Sequence, residues 1–196
     1  MSPIETEVKV RVHDVPALER RLEAAGFARQ TPRTFERNVL YDTPGRMLRN
    51  DRQILRIRQY GRSWVLTHKS MPSGGDTGLY KHRVETETTV GDGEVVATIF
   101  AALGYSPAFT YEKWRTEWAD GLGHFVIDET PIGTYAELEG PEDWIDATAA
   151  AVGIDSGEFS NLSYGRLFDL WKEKTGSLAT DLTFAQVGEA AISIES

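Results

Sequence analysis

The sequence predicts an α+β fold in which a mostly antiparallel sheet carries packed helices. Three observations lead there. Apolar and charged residues alternate with period 2 in several separate stretches, as half-buried strands do. Other stretches repeat their apolar residues at helical spacing between recognisable caps. Several of the strand-like stretches are joined by short turns, which suit antiparallel pairing.

Residues 4–12 alternate apolar and charged and read as a strand. A helix follows: Asp14 is a good N-cap, Pro16 sits in the first turn, Leu18, Leu22 and Ala25 share a face, and Gly26 supplies the stop. Strands are predicted over residues 34–41, 53–60 and 63–69, with turns at Pro44-Gly45 and Gly61-Arg62. Residues 70–78 are rich in glycine, proline and small polar residues and read as a loop, placed to cover one end of a site that includes Lys69. Alternation returns over residues 80–90, and a helix is expected over 93–103, ended by Gly104. Strands at 109–119 and 124–128 flank the turn Asp120-Gly121-Leu122-Gly123. A last strand, 133–139, precedes helices at 142–151 and 164–174. No internal repeat or linker divides the chain, so one domain is expected over residues 1–175, with a tail over 176–196.

A chain of 196 residues with 40% hydrophobic content can bury a core without staples. It contains no cysteine, and Met1-Ser2-Pro3-Ile4-Glu5 has neither the basic nor the apolar part of a secretion signal. With no apolar run approaching about 18 residues, the expectation is a cytoplasmic protein without a membrane partner. Thirty acidic against 21 basic side chains give a net charge of −9, which repels nucleic acid. Many of the basic residues nevertheless cluster in alternating pairs, Arg56 with Arg58, Lys81 with Arg83, Lys113 with Arg115. A concentrated basic site inside an acidic protein selects a small, highly charged anion.

On the first strand Glu5, Glu7, Lys9 and Arg11 share one face while Ile4, Val8, Val10 and Val12 lie off it. One such strand is ordinarily a solvated sheet face. Here the pattern recurs: Arg56 and Arg58 beside Leu55 and Ile57; Lys81, Arg83, Glu85 and Glu87 beside Val84; Lys113, Arg115 and Glu117 beside Trp114 and Trp118; Glu137 and Glu139 around Leu138. If the strands close on themselves, the charged faces line an interior and the apolar faces meet the helices outside. Each unpaired ion inside costs on the order of several kcal/mol, so the lining needs mutual pairing, a polyanion and a divalent cation. Arginine forks suit phosphate oxygens, and clustered carboxylates suit Mg²⁺ or Mn²⁺. The lone histidines His13, His68, His82 and His124 lack metal-ligand spacing.

Glu5-Thr6-Glu7-Val8-Lys9 resembles the E-x-E-x-K signature of the CYTH family of triphosphate tunnel metalloenzymes. That family includes class IV adenylate cyclases, thiamine triphosphatases and inorganic triphosphatases. Tyr41-Asp42-Thr43-Pro44, Leu55-Arg56-Ile57-Arg58, Leu66-Thr67-His68-Lys69, Arg83-Val84-Glu85-Thr86-Glu87, Lys113-Trp114-Arg115, Ile127-Asp128-Glu129, Ala136-Glu137-Leu138-Glu139 and Ser163-Tyr164 resemble its later motifs in the same order. Leu40 stands where an aromatic residue is frequent. The resemblance runs from Ile4 to Trp171 and implies a closed eight-stranded antiparallel β-barrel forming a tunnel, with helices packed outside. It implies that Lys9, Arg56, Arg58, Lys69, Arg83, Lys113 and Arg115 hold the triphosphate, with Arg56, Arg58 and Lys69 acting in catalysis. Glu5, Glu7, Asp128, Glu137 and Glu139 would bind or orient Mg²⁺ or Mn²⁺, and Glu85 and Glu87 are divided between metal and arginine.

Such a lining serves hydrolysis, with water attacking the terminal phosphorus, and cyclisation of ATP to cyclic AMP and pyrophosphate alike. Hydrolysis of a small-molecule triphosphate (inorganic, nucleoside or thiamine) is the expectation, because a cyclase must also hold a nucleoside, for which Phe35, Tyr60, Trp64 and Tyr80 are the candidate aromatics. A sensor of polyphosphate or nucleotide is the non-enzymatic alternative, and it has no use for the carboxylates. Monomer and homodimer both remain open.

Overall fold

The computed structural model describes residues 4–72 and 78–188 of the chain; most of the expected 70–78 loop and the end of the tail lie outside the described residues. In chain order stand β1 (Ile4–Val12), α1 (Val15–Ala24), β2 (Ala28–Asp42), α2 (Met47–Asn50), β3 (Ile54–Tyr60), β4 (Ser63–Ser70) and β5 (Lys81–Val90). They are followed by α3 (Gly93–Ala102), β6 (Ser106–Ala119), β7 (His124–Thr130), β8 (Gly133–Glu139), α4 (Glu142–Ala151) and α5 (Tyr164–Thr175). The strands close into a barrel in the order β1-β5-β4-β3-β2-β6-β7-β8. Every neighbouring pair is antiparallel, so the predicted α+β barrel with helices outside is what the chain forms.

Most of the elements follow local chemistry. Asp14 accepts the Ala17 amide at 2.9 Å and starts α1, and Gly26, at φ 90°, turns the chain out of it. Ser163 accepts the Arg166 amide at 3.2 Å and starts α5. Asp120 accepts the amides of Leu122 and Gly123 and makes the β6–β7 turn. The one large departure is β2, which begins six residues before the predicted residue 34. Pro32 reads as a strand breaker, but the β2–β6 ladder shifts register between Arg29 and Thr31 and again between Thr31 and Thr34, so no ladder bond is asked of it. The same shifts bend the longest strand pair of the barrel.

Two apolar layers pack outside the barrel and one closes an end of it. Val8, Val10, Phe125, Ile127 and Leu138 pack against Leu18 and Leu22 of α1 and Ile145 of α4. Val39, Tyr41 and Ile57 lie under Val96 and Phe100 of α3. Tyr164 and Phe168 of α5 meet Tyr111 and Tyr135 on the barrel, joined by Leu182 and Val187. The chain beyond Gly176 is therefore tied down as far as it is described: Leu182 donates to the Thr110 carbonyl at 3.0 Å and its own carbonyl accepts from Glu112 at 2.9 Å.

The α3 layer sits close because Gly93 has no side chain: a Cβ there would collide with the Trp64 ring. Gly93→Ala is expected to lower stability by about 1–3 kcal/mol through overpacking. A denaturation midpoint equal to that of the parent protein would contradict this.

Candidate active site

Period 2 and the ladder register decide what faces inward. Lys9 lies opposite Glu137, Glu7 opposite Glu139 on one side and Lys81 on the other, Lys69 opposite Glu85, and Arg115 opposite Asp128. Charges predicted on separate strands thus meet around one cavity of about 810 Å³. It is lined by Lys9, Arg56, Arg58, Lys69, Lys81, Lys113 and Arg115 together with Glu5, Glu7, Glu85, Glu87, Glu117, Glu137 and Glu139. Arg83 stands opposite Glu5 in the ladder, and its guanidinium reaches the His82 carbonyl at 2.5 Å; it is not among the described residues that line the cavity.

The cations are held by a buried acidic frame. Asp128, fully buried, accepts from Lys113 at 2.8 Å, from Arg115 at 2.7 and 2.6 Å, and from the Tyr164 hydroxyl at 2.7 Å. Arg115 also donates to Glu137 at 2.6 Å, and Lys9 donates to the other oxygen of Glu137. Glu36, 0% exposed, stands 3.3 Å from Lys113, 3.9 Å from Arg58 and 4.0 Å from Arg115. Burial alone would raise the Glu36 carboxyl, but Lys113, Arg115, Arg58 and Arg56 hold it down at about 2. Lys9, only 3% exposed, is lifted above the usual lysine value: burial opposes its charge, and Glu137 and Glu7 more than compensate. The ring of Tyr164 lies 4.4 Å from Lys9 and 4.9 Å from Lys113 and gives both a second, non-ionic partner.

Arg56 donates to Tyr111 and to Thr67, each at 3.2 Å, and keeps only distant contact with Glu85 and Glu87, at 3.8 and 3.7 Å. Arg58 donates to Glu87 at 3.1 Å, and Lys69 pairs with Glu5 at 2.5 Å and Glu85 at 2.9 Å. The two glutamates left between metal and arginine by the sequence therefore both stand on cations.

The remaining acids form a separate face. Glu7 stands opposite Glu139 where β1 and β8 pair, and Glu5 lies two residues along β1 on the same strand face. Burial pushes the Glu5 carboxyl up to about 8, offset in part by Lys69 and reinforced by the like charges of Glu7 and Glu139. Burial likewise raises Glu139, with Glu7 adding to it. Burial would raise Glu7 too, but Lys81 bonds it and brings it down to about 2. Glu139 has no hydrogen bond or ion pair among the described residues. A hard divalent cation suits this set: the donors are all carboxylate oxygens, they share one face, and they carry more negative charge than the neighbouring cations neutralise. No group of three among the described residues stands in a ligating arrangement, because Lys69 and Lys81 lie on Glu5 and Glu7. Asp128 and Glu137, expected to join them, have their oxygens committed to Lys113, Arg115, Tyr164 and Lys9.

Glu36, Lys81, Tyr111 and Tyr164 are site residues that the sequence reading did not select. Parity was the available signal for the first two, since Glu36 shares its strand face with Asn38, and Lys81 shares its own with Glu85. None of the four aromatics suggested for a base lines the cavity among the described residues. Phe35 meets Trp114 edge to face at 5.1 Å, Trp64 packs beneath α3, Tyr80 donates to Asp146 at 2.6 Å, and Tyr60 has its hydroxyl buried.

The family model described as the CYTH domain matches residues 3–152, more than half of the chain. A candidate adenylate cyclase of Vibrio parahaemolyticus shares the fold at a TM-score of 0.74 and 18% identity, with 86% of this chain and 99% of that chain covered. The PH1012 protein of Pyrococcus horikoshii gives 0.69 and 19%, covering 83% and 98%. A candidate adenylyl cyclase of Hippeastrum, described as revealing a dominant triphosphatase activity, gives 0.63 and 20%, covering 85% and 96%. No curated protein matches the sequence.

Proposed function

The chain belongs to the CYTH domain family, and on that premise we propose that it hydrolyses a small-molecule triphosphate with the help of a divalent cation. One observation carries the reading: one cavity inside the closed barrel, in which Lys9, Arg56, Arg58, Lys69, Lys113 and Arg115 face an undercompensated cluster of Glu5, Glu7 and Glu139. A triphosphate needs such cations over its whole length, and a sensor would have no use for the acids.

In this mechanism the chain acts mainly by positioning and by neutralising charge. Asp128, Glu36 and Glu137 fix Lys113, Arg115 and Lys9 from behind, so their charges are in place before substrate arrives. Arg56, Arg58 and Lys69 lie on adjoining strands and meet phosphate oxygens from the other wall, with Lys69 and Arg56 exchanging carboxylate contacts for phosphate. Glu5, Glu7 and Glu139 would hold the divalent cation once Lys69 and Lys81 turn from them, and the cation would supply positive charge at phosphate oxygens and lower the pKa of water. Mg²⁺ and Mn²⁺ both suit an all-oxygen donor set.

Hydrolysis is preferred to cyclisation because it asks nothing of the protein beyond this lining, and the Hippeastrum relative is described by a dominant triphosphatase activity. The test is release of orthophosphate on incubation with Mg²⁺ or Mn²⁺ and a triphosphate. Glu139→Gln, which removes charge from a residue without a partner, is expected to raise the metal concentration giving half-maximal rate about tenfold with little change in stability. An unchanged metal dependence would remove Glu139 from the cation site.

A further inference from the structure

Both faces of α3 are apolar. Val96, Ala97 and Phe100 pack inward with Val39, Tyr41 and Ile57. Val95, Ile99 and Leu103, spaced at i, i+4 and i+8, share the opposite face and are 56%, 52% and 68% exposed. Ala101 and Ala102 are exposed beside them. The Thr98 hydroxyl donates back to the Glu94 carbonyl at 3.0 Å and is satisfied within the helix. From Val95 to Leu103 the chain carries no charge. By contrast, α1 turns Arg20, Arg21 and Glu23 to solvent, and α5 turns Arg166, Glu173 and Lys174. An exposed, uncharged helix face marks a contact surface.

We propose that this face joins two copies of the chain, α3 packing antiparallel on α3 of a second copy about a two-fold axis through Ile99. The inference does not depend on what the cavity holds. Two features select a second copy as the occupant. The face is its own complement: a two-fold axis at Ile99 sets Ile99 against Ile99 and Val95 against Leu103, so every apolar residue meets another. The two ends of α3 also carry opposite charge. Asp92 and Glu94 stand exposed at its N-terminal end. At its C-terminal end stands α2, because Asp42 accepts the α2 amides of Leu48 and Arg49 at 2.9 and 3.0 Å and pairs in register with Ser106, just past the end of α3. There Arg46, Arg49 and Arg52 are exposed against the single acid Asp51, beside a half-exposed Met47. Glu94, Arg49 and Arg52 form no ion pair among the described residues. Antiparallel packing brings the acidic end of each α3 to the arginines of the other copy and opposes the two helix dipoles. One helix face with the α2 corner is a small contact, below about 1,200 Å² in total. The dimer is therefore reversible, with a dissociation constant on the order of 10 µM.

Sedimentation equilibrium of the full chain from about 1 µM to about 1 mM tests this. The parent is expected to pass from monomer to dimer over that range. Ile99→Glu should raise the dissociation constant about a hundredfold or more, with an unchanged melting temperature, since Ile99 lies outside the apolar core clusters. The chain has no cysteine, so single cysteines report the geometry. Ile99→Cys, facing itself on the axis, should form a disulfide-linked dimer under mild oxidation, and Leu103→Cys, facing Val95, should not. A parent still monomeric at about 1 mM, a dimer that Ile99→Glu leaves intact, or crosslinking through Leu103→Cys in place of Ile99→Cys would each overturn the proposal. A monomer that binds phosphatidylcholine vesicles through this face would overturn it as well and assign the face to a membrane.

Discussion

Arg56→Ala is expected to lower kcat/KM for triphosphate hydrolysis by roughly a hundred- to a thousandfold, the usual cost of removing one donor aimed at developing charge. The same change should leave the fold nearly intact. Arg56 is bonded to the neutral hydroxyls of Tyr111 and Thr67, and its two acidic neighbours have nearer partners, Glu85 in Lys69 at 2.9 Å and Glu87 in Arg58 at 3.1 Å. Removing it therefore strands no buried carboxylate. Circular dichroism melting beside steady-state kinetics separates the two effects. Retention of most activity in a folded Arg56→Ala protein would remove Arg56 from the catalytic set.

Glu36 should show the opposite balance, with a large effect on stability. It is a fully buried anion among Lys113, Arg115 and Arg58, so Glu36→Gln leaves Lys113 and Arg115 to Asp128 and Glu137, and Arg58 to Glu87, and should cost about 3–5 kcal/mol. The pH dependence follows with a definite sign. Lys113, Arg115 and Arg58 hold the folded carboxyl down at about 2, against 4.5 for the unfolded one. Its contribution is thus fully present above about pH 4.5 and is lost as pH falls toward 2. Over that window it is worth roughly 3 kcal/mol. Denaturant titrations between pH 6 and about 2.5 should show a shallower acid decline in Glu36→Gln than in the parent. Identical slopes, with equal stability at neutral pH, would mean that Glu36 is not the counter-ion of this frame.

The staves of the barrel were legible because each strand carries its own record of which face is wet. β1 and β8 match the alternating residues at both ends. β2 was read short because the backbone tolerance of Pro32 lies in a register shift, a property of the partner strand and not of residue 32. Charge alone also misleads: Arg37 is as basic as Arg56, yet it points outward toward Glu112 at 3.8 Å, and Arg33 lies over Trp114 at 4.2 Å on the same outer face. Only closure says which parity is inside. The metal set that the resemblance implies takes in Asp128 and Glu137 beside Glu5, Glu7 and Glu139. Asp128 and Glu137 look like Glu5 and Glu7 in sequence, but register sets them against Arg115 and Lys9. Ser163-Tyr164 stands out as a motif, but the role of Tyr164 depends on α5 capping the end of the barrel where Tyr111 and Tyr135 stand.

The most direct test is to run the reaction in heavy-oxygen water with Mg²⁺ or Mn²⁺, offering inorganic triphosphate, ATP and thiamine triphosphate in turn, and to follow the label by mass spectrometry. Attack of water on the terminal phosphorus places one labelled oxygen in orthophosphate, and that is the predicted result. Pyrophosphate and cyclic AMP free of label would show that the ribose hydroxyl is the nucleophile, and binding with no product would show a sensor; either would contradict the hydrolytic reading.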